Sequence, residues 1–450
     1  MKKFILGAVA LSCLSITGVV VADDHSEVAP RNMIIVVGDG MGFPYTTAYR
    51  YFKDGRGMTT QADIEPTLLD RYLVGAASTY PADDTLITDS AASATTLASR
   101  VKTYNGAIGV DIEKSPVESL METAKAEGFL TGAIATTRVT HATPAAFFTH
   151  VHYRRQEREI AEQFAQFNED GEWKFDLLLG SGREFFRYEN EDGTQVDHLA
   201  DMQSRGMQVI ESIDGLTDVR ALPLTGLFHE KDFPFVIDDA PRLEQMVAQG
   251  LRLLAEQDEP FVLLIEASMI DWCGHGNDIG CAMHEMRDLE LAFDTLVEFV
   301  ESRSDTALVM TADHSTGGLA LGADGVYQWR AAQVNRIGRS LRLMANELAA
   351  MAKIDWEPYI NQYLPFPLAT EHQSELNRLA ALTGESQVRE INKFLVQFVR
   401  YHTGTGFTTS GHTGEDVPVY AVGPWADAFR GHQDHSDIAA QLIEWIEARD

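Results

Sequence analysis

Three continuous apolar runs, each opening onto a carboxylate, constrain this chain more than anything else in it. Met33-Ile34-Ile35-Val36-Val37 runs into Gly38-Asp39, Phe261-Val262-Leu263-Leu264-Ile265 into Glu266, and Ala307-Leu308-Val309-Met310-Thr311 into Ala312-Asp313-His314. Apolar runs without alternation read as strands buried on both faces, the pattern of parallel sheet. Open α/β sheets bind ligands beyond the carboxyl ends of their strands, so polar residues there stand where chemistry is done. The fullest such segment is Glu266-Ala267-Ser268-Met269-Ile270-Asp271-Trp272-Cys273-Gly274-His275. Read as one loop, it gathers the oxygen and imidazole donors that a zinc or magnesium site needs. Alone it does not establish a metal site, because acidic loops with a stray histidine are common.

The rest of the chain adds donors in the same kind of place. Gly38-Asp39-Gly40-Met41-Gly42 permits a tight turn with Asp39 facing outward. It is not a dinucleotide fingerprint, since Phe43 stands where the third glycine belongs, and neither a Walker loop nor a GxSxG elbow occurs. Thr88-Asp89-Ser90-Ala91-Ala92-Ser93 predicts a helix capped by Asp89 or Ser90. A serine at that end meets free N–H groups and the positive end of the helix dipole, a setting for an alkoxide or a bound phosphate. Ser115-Pro116-Val117-Glu118 predicts a capping box with proline at the first helical position, and that helix ends at Gly128. A strand over residues 129–135 then leads to His141 and Thr143, two apart and able to face one site, with Arg154 and Arg155 shortly after. An arginine fork suits phosphate oxygens, although an arginine pair in an acidic protein is more often a surface ion pair. Another strand is predicted at 175–180, and His412 precedes a last one at 417–422.

Between His314 and His412 the pattern changes. Val334, Ile337, Leu341, Met344, Leu348 and Met351 form one helical stripe, and Val388, Ile391, Leu395 and Phe398 another. Residues 320–408 therefore read as a helical insertion in a large α/β domain. At the other end, Lys2 and Lys3, the apolar run from Phe4 to Val21 and a small-residue site at Ala22 read as a secretory signal over 1–22. Its removal leaves residues 23–450 with no further span apolar enough to cross a bilayer, and so predicts a periplasmic or secreted protein with no membrane anchor. Losing the two lysines takes the formal charge from −31 to −33. Such a surface argues against general nucleic-acid binding. It also disfavours an anionic substrate unless the site brings its own positive charge, which metal ions would supply. The remaining cysteines, Cys273 and Cys281, read equally well as a short-loop disulfide or as two buried thiols.

No single motif here is decisive. Jointly, Gly38 to Gly42, Asp89 to Thr96, Lys102 to Gly106, His141 to Ala145, Glu266 to His275, Thr311 to His314 and His412 to Gly414 resemble the alkaline phosphatase family, over about residues 31–424. The resemblance implies a central, mostly parallel sheet flanked by helices, two zinc ions and one magnesium, and a homodimer. By the family pattern Asp271, His275 and His412 would hold one zinc. Asp39, Asp313 and His314 would hold the other, beside Ser90. Asp39, Thr143 and Glu266 would share magnesium. Arg154 matches the phosphate-binding arginine, because it lies thirteen residues beyond His141. The implied reaction is hydrolysis of small phosphate monoesters: Ser90 attacks phosphorus and forms a phosphoserine, which water then cleaves. Two positions depart from the best-known bacterial pattern, which has Asp at His141 and Lys at Trp272. Both His141 and Trp272 would border the substrate, the third cation could be zinc or magnesium, and phosphate should bind more weakly without the lysine charge. Phosphodiesterases and nucleotide pyrophosphatases share the metal core but typically lack the third-site ligands. Sulfatases need a modified Cys or Ser that the Ser90 region does not present. An exported protein that binds phosphate or zinc without catalysis is the alternative from another class.

Overall fold

The computed structural model describes residues 29–54 and 64–448, so the expected signal at 1–22 lies outside the described residues. The apolar runs form the middle of a ten-stranded sheet. In chain order its strands are β1 (Asn32–Gly38), β2 (Leu73–Ser78), β3 (Leu130–Arg138), β4 (Leu177–Ser181), β5 (Gln208–Ile210), β6 (Leu224–Leu227), β7 (Phe261–Ala267), β8 (Thr306–Thr311), β9 (Val417–Val422) and β10 (Gly431–Asp434). Their order across the sheet is β10-β2-β9-β8-β1-β7-β3-β4-β6-β5. Only β9 runs against its neighbours; every other pairing is parallel. Every residue of β1, β7 and β8 is buried, as expected of strands covered on both faces.

Two groups of helices flank the sheet. Phe43–Asp54, Leu243–Ala255 and the long Ile279–Glu301 pack together, while Ser90–Ser99, Leu120–Ala126 and His435–Glu447 form the second group. The α/β class and the mostly parallel sheet match the sequence reading. Between Leu321 and Thr405 the chain is largely helical, and its ends are tied by a two-stranded antiparallel ribbon, Leu319–Leu321 against Thr405–Phe407.

Three local readings need correction. The segment after β7 is not a loop: Met269–His275 is helical, so Asp271 and His275 lie one turn apart on one helix face. The capping box belongs to Ser119 and Glu122, not Ser115 and Glu118. Pro116 instead bridges Val110, and Ser119 Oγ also donates to the Phe147 carbonyl at 2.8 Å, which anchors the cap to the core. The Val334–Met351 stripe is broken, because Gly338 N–H turns to the Tyr363 carbonyl and a new helix begins at Leu341 behind Ser340.

Candidate functional site

The carboxyl ends of β8, β1, β7 and β3 are neighbours, and all the sequence-predicted donors but His412 lie on or just beyond these strands or on the short helices that follow them. Val37 pairs with Thr311 on one side and Glu266 on the other, so Asp39 and Asp313 emerge at one level, with Glu266 on the next strand two residues behind them. The turn after β1 takes φ +74° at Gly40, and a Cβ there would come within 2.7 Å of the Asp271 Cα. Glycine is therefore required both by the left-handed backbone and by the close approach of the Asp271 helix.

The donors fall into three groups, each with one ligand atom per residue within 4.8 Å of the others: Asp271, His275 and His412; Asp39, Asp313 and His314; and Asp39, His141 and Glu266. The first two match the sets implied by the sequence. In the third, His141 stands where the sequence reading placed Thr143, although Thr143 Oγ1 is also buried without a hydrogen-bond partner. Asp39, Glu266, Asp313 and His314 are fully buried, yet among the described residues both carboxylate oxygens of Asp39 and Glu266, and Oδ2 of Asp313, lack a hydrogen bond of normal geometry, the Ser268 and Thr143 hydroxyls lying only near enough to Glu266 to ease its burial. Buried carboxylates left in this state are costly, and bound cations are the natural remedy. Burial first, then mutual repulsion, pushes Asp39 well above the ordinary carboxylate range. Burial likewise raises Glu266 to about 7 and Asp313 to about 8.

The histidines are oriented from behind. His275 Nδ1 meets the Ser410 carbonyl at 2.5 Å and His412 Nδ1 the Thr88 carbonyl at 2.9 Å. Those carbonyls take the Nδ1 protons and leave the Nε2 lone pairs pointing inward, where the two Nε2 atoms stand 3.3 Å apart. His314 stacks on His412 at 3.5 Å, with its Nε2 3.2 Å from Asp313 Oδ2. Burial holds the His141 and His314 imidazoles well below their ordinary pKa, so both are neutral and can act as ligands. The first set, with two imidazoles and a carboxylate, suits zinc; the second and third each offer one imidazole and two carboxylates, and the Thr143 oxygen beside the third makes that group the one better suited to a harder cation.

Ser90 opens a helix, Ser90–Ser99, whose residues are all buried. Asp89 is its cap, accepting from Ala92 N–H at 3.0 Å. Ser90 Oγ lies 3.2 Å from His314 Nε2, next to the second donor group. Asp89 also accepts from Arg154 Nη1 at 2.9 Å, and Arg154 Nη2 faces His141 Nε2 at 2.9 Å. The guanidinium is thus held beside Ser90 from two sides, whereas Arg155 is not among the residues lining the Ser90 cleft. Trp272 is half-buried, edge-on to His141 at 6.0 Å and 5.6 Å from the Arg138 guanidinium. A disulfide joins Cys273 to Cys281 and resolves the choice left open by the sequence. It ties the helix carrying Asp271 and His275 to the long Ile279–Glu301 helix. Sequence reasoning missed Thr316, whose Oγ1 donates to Asp271 Oδ1 at 2.5 Å. Its place two residues beyond His314, just past a strand, was the available signal.

Among the described residues, no helix is long and apolar enough to cross a membrane. The alkaline phosphatase family model matches residues 30–448. Alkaline phosphatase 3 of Bacillus subtilis is 36% identical over 421 residues, 93% of this chain and 89% of that protein. The repressible alkaline phosphatase of Saccharomyces cerevisiae is 31% identical, over 93% of this chain and 81% of its own. The crystal structure of a cold-active alkaline phosphatase from a psychrophilic Shewanella sp. superposes with a TM-score of 0.84 at 41% identity, covering 92% of this chain and 99% of that one.

Proposed function

Because the chain belongs to the alkaline phosphatase family and is a phosphatase of that kind, we propose that Ser90 is the nucleophile of a metal-dependent phosphate monoester hydrolysis that passes through a phosphoserine. The observation that carries this reading is Ser90 Oγ at a helix N-terminus, 3.2 Å from the donor set of His314, Asp313 and Asp39.

Two zinc ions and a third cation, magnesium or zinc, would occupy the three donor groups and supply positive charge to the attacking and leaving oxygens. The chain's own residues do the rest. The helix N-terminus and Arg154 neutralise the phosphoryl oxygens, with Arg154 fixed in aim by Asp89. Ser90 Oγ forms a bond to phosphorus as the bond to the alcohol breaks, and the alcohol leaves with a proton. Water then displaces Ser90, releasing inorganic phosphate and restoring the hydroxyl. Glu266 and Thr143 hold the deep side of the site, and Trp272 and His141 border the substrate.

Export fits the basic, apolar and small-residue order of 1–22 and the Cys273–Cys281 disulfide, which favours an oxidising compartment. Residues 320–408 act as an insertion that walls the cleft, and a homodimer follows from the family pattern alone.

The test is phosphate release from phenyl phosphate by the unaltered protein and by Ser90→Ala, with acid quenching to trap modified Ser90 for mass spectrometry. Ser90→Ala should lose at least about a thousandfold in kcat, as nucleophile deletions do. Full activity in the variant would overturn the assignment.

A further inference from the structure

A cleft of about 450 Å³ opens over Ser90, and it continues in two directions. A hollow on one side shares His141, Arg154, His275 and His412 with it. A hollow of about 520 Å³ on the other side shares Phe235, Trp272 and Arg342. Arg154 and Arg342 both line the cleft over Ser90, and each also lines a different one of the two adjoining hollows. Arg154 faces the phosphoryl group, so the Arg342 side is where the alcohol part of a substrate has room.

Arg342 is unusual in its setting. It is exposed and is the second residue of the Leu341–Ala350 helix, where the helix dipole disfavours a cation. In a chain of net charge −31, its side chain makes no ion pair or hydrogen bond among the described residues. Nearby Arg339, by contrast, is engaged by Glu347 at 3.3 Å and by the Tyr363 hydroxyl at 2.8 Å. The backbone presenting Arg342 is pinned by two acids from elsewhere in the chain. Asp238 accepts from Ser340 N–H at 3.0 Å and Asp278 from Leu341 N–H at 2.6 Å. A guanidinium with no ion pair or hydrogen bond among the described residues, on a fixed backbone and lining the same hollows as Phe235 and Trp272, is available to an anion.

We propose that Arg342 anchors a second anionic group on the leaving side of the substrate, so that the cleft favours phosphate monoesters whose alcohol part carries a carboxylate or a further phosphate. This rests on the reading of Ser90 as the nucleophile. Arg342 acts on recognition and makes no contact with the reacting phosphorus.

The experiment compares phenyl phosphate with 3-carboxyphenyl phosphate on the metal-loaded enzyme, its Arg342→Ala variant and its Arg342→Lys variant. Comparing the ratio of kcat/KM for the two esters between the proteins cancels the esters' intrinsic reactivities. That ratio should fall about three- to tenfold in Arg342→Ala, through KM, as expected for one solvent-accessible charge pair. Arg342→Lys should restore part of it, and added salt should shrink the difference between the proteins. An unchanged ratio with both esters turned over would overturn the anchor alone. Equal losses on both esters, matched by an equal loss of inhibition by inorganic phosphate, would mean general attraction of anions and would also overturn it. No turnover of either ester by the unaltered enzyme would overturn the phosphatase reading and the anchor with it.

Discussion

Two clusters of buried acids invite comparison. At the sheet edge stand Asp39, Glu266 and Asp313; where the chain before the Leu243–Ala255 helix meets the long Ile279–Glu301 helix stand Asp278, Glu285 and Asp288. Burial raises the carboxyl pKa in both, to about 7 for Glu266 and about 7 for Glu285. The partners differ. Glu285 accepts from Val236 N–H at 2.8 Å, Asp288 from Arg242 N–H at 3.1 Å, and Asp278 from Cys281 N–H at 3.1 Å. The buried Arg242 guanidinium lies 3.8 Å from Glu285 and over the Phe233 ring. Asp39, Glu266 and Asp313 have oxygens that accept no hydrogen bond among the described residues, with only the His314 ring close to Asp39 and Asp313. A raised pKa thus marks burial in either place. Beside Glu285 the unsatisfied atoms are nitrogens of the neighbouring cation Arg242. Asp39, Glu266 and Asp313 instead face one another with unsatisfied oxygens and only an imidazole beside them, the setting that invites a cation.

The largest effect that would break this contrast is metal removal. Chelation should abolish turnover and lower stability by on the order of 3 kcal/mol per tightly held cation. Calorimetry on the protein before and after chelation reads the second part, and an unchanged melting temperature would mean that the sheet-edge acids do without cations.

Next in size is the pH dependence of the other cluster. Glu285 titrates near 4.5 when unfolded and near 7 when folded, so the folded state retains its proton longer. Stability from this group is therefore greatest below pH 4.5, falls as pH rises through about 7, and is flat above. Over that window the loss is about 1–3 kcal/mol. Glu285→Gln should remove that component of the slope in denaturant titrations, whatever it does to absolute stability. A slope identical to the parent's would show that Arg242 already keeps Glu285 ionised.

The smallest effect concerns the rim of the sheet-edge site. Trp272→Lys adds a positive charge beside the phosphoryl position and should tighten competitive inhibition by phosphate about two- to fivefold. Unchanged inhibition would count against the idea that Trp272 weakens product binding.

Much of this was legible in the sequence for a simple physical reason. Strands β1, β7 and β8 are buried on both faces, so apolarity alone marked them, and the first polar residue after each marked the site. The Met269–His275 helix was harder, because a seven-residue helix has little periodicity to read. The spacing of four between Asp271 and His275 is the clue, since it puts both on one face of a helix. The capping box offered two overlapping choices, Ser115 with Glu118 and Ser119 with Glu122, and a tertiary contact to Phe147 decided between them. His141 joined Asp39 and Glu266 through the meeting of β3, β1 and β7, which no local pattern encodes. Arg342 carries no sequence signal at all, since its distinction is that its side chain makes no ion pair or hydrogen bond among the described residues.

The parallel strands themselves carry one more consequence. Asp39 and Asp313 leave β1 and β8 at the same level, two residues beyond the Val37–Thr311 pair, while Glu266 stands level with Val37, so the spacing of the three carboxylates follows from the strand separation, about 4.8 Å, and the rise along a strand, about 3.3 Å per residue. The sheet works as a ruler. Substitution can exchange one ligand for another, as at His141, but no side-chain change alters the graduations. On the proposed reading, side-chain changes could alter which ions such a site takes, while the strands would hold the carboxylates that place them.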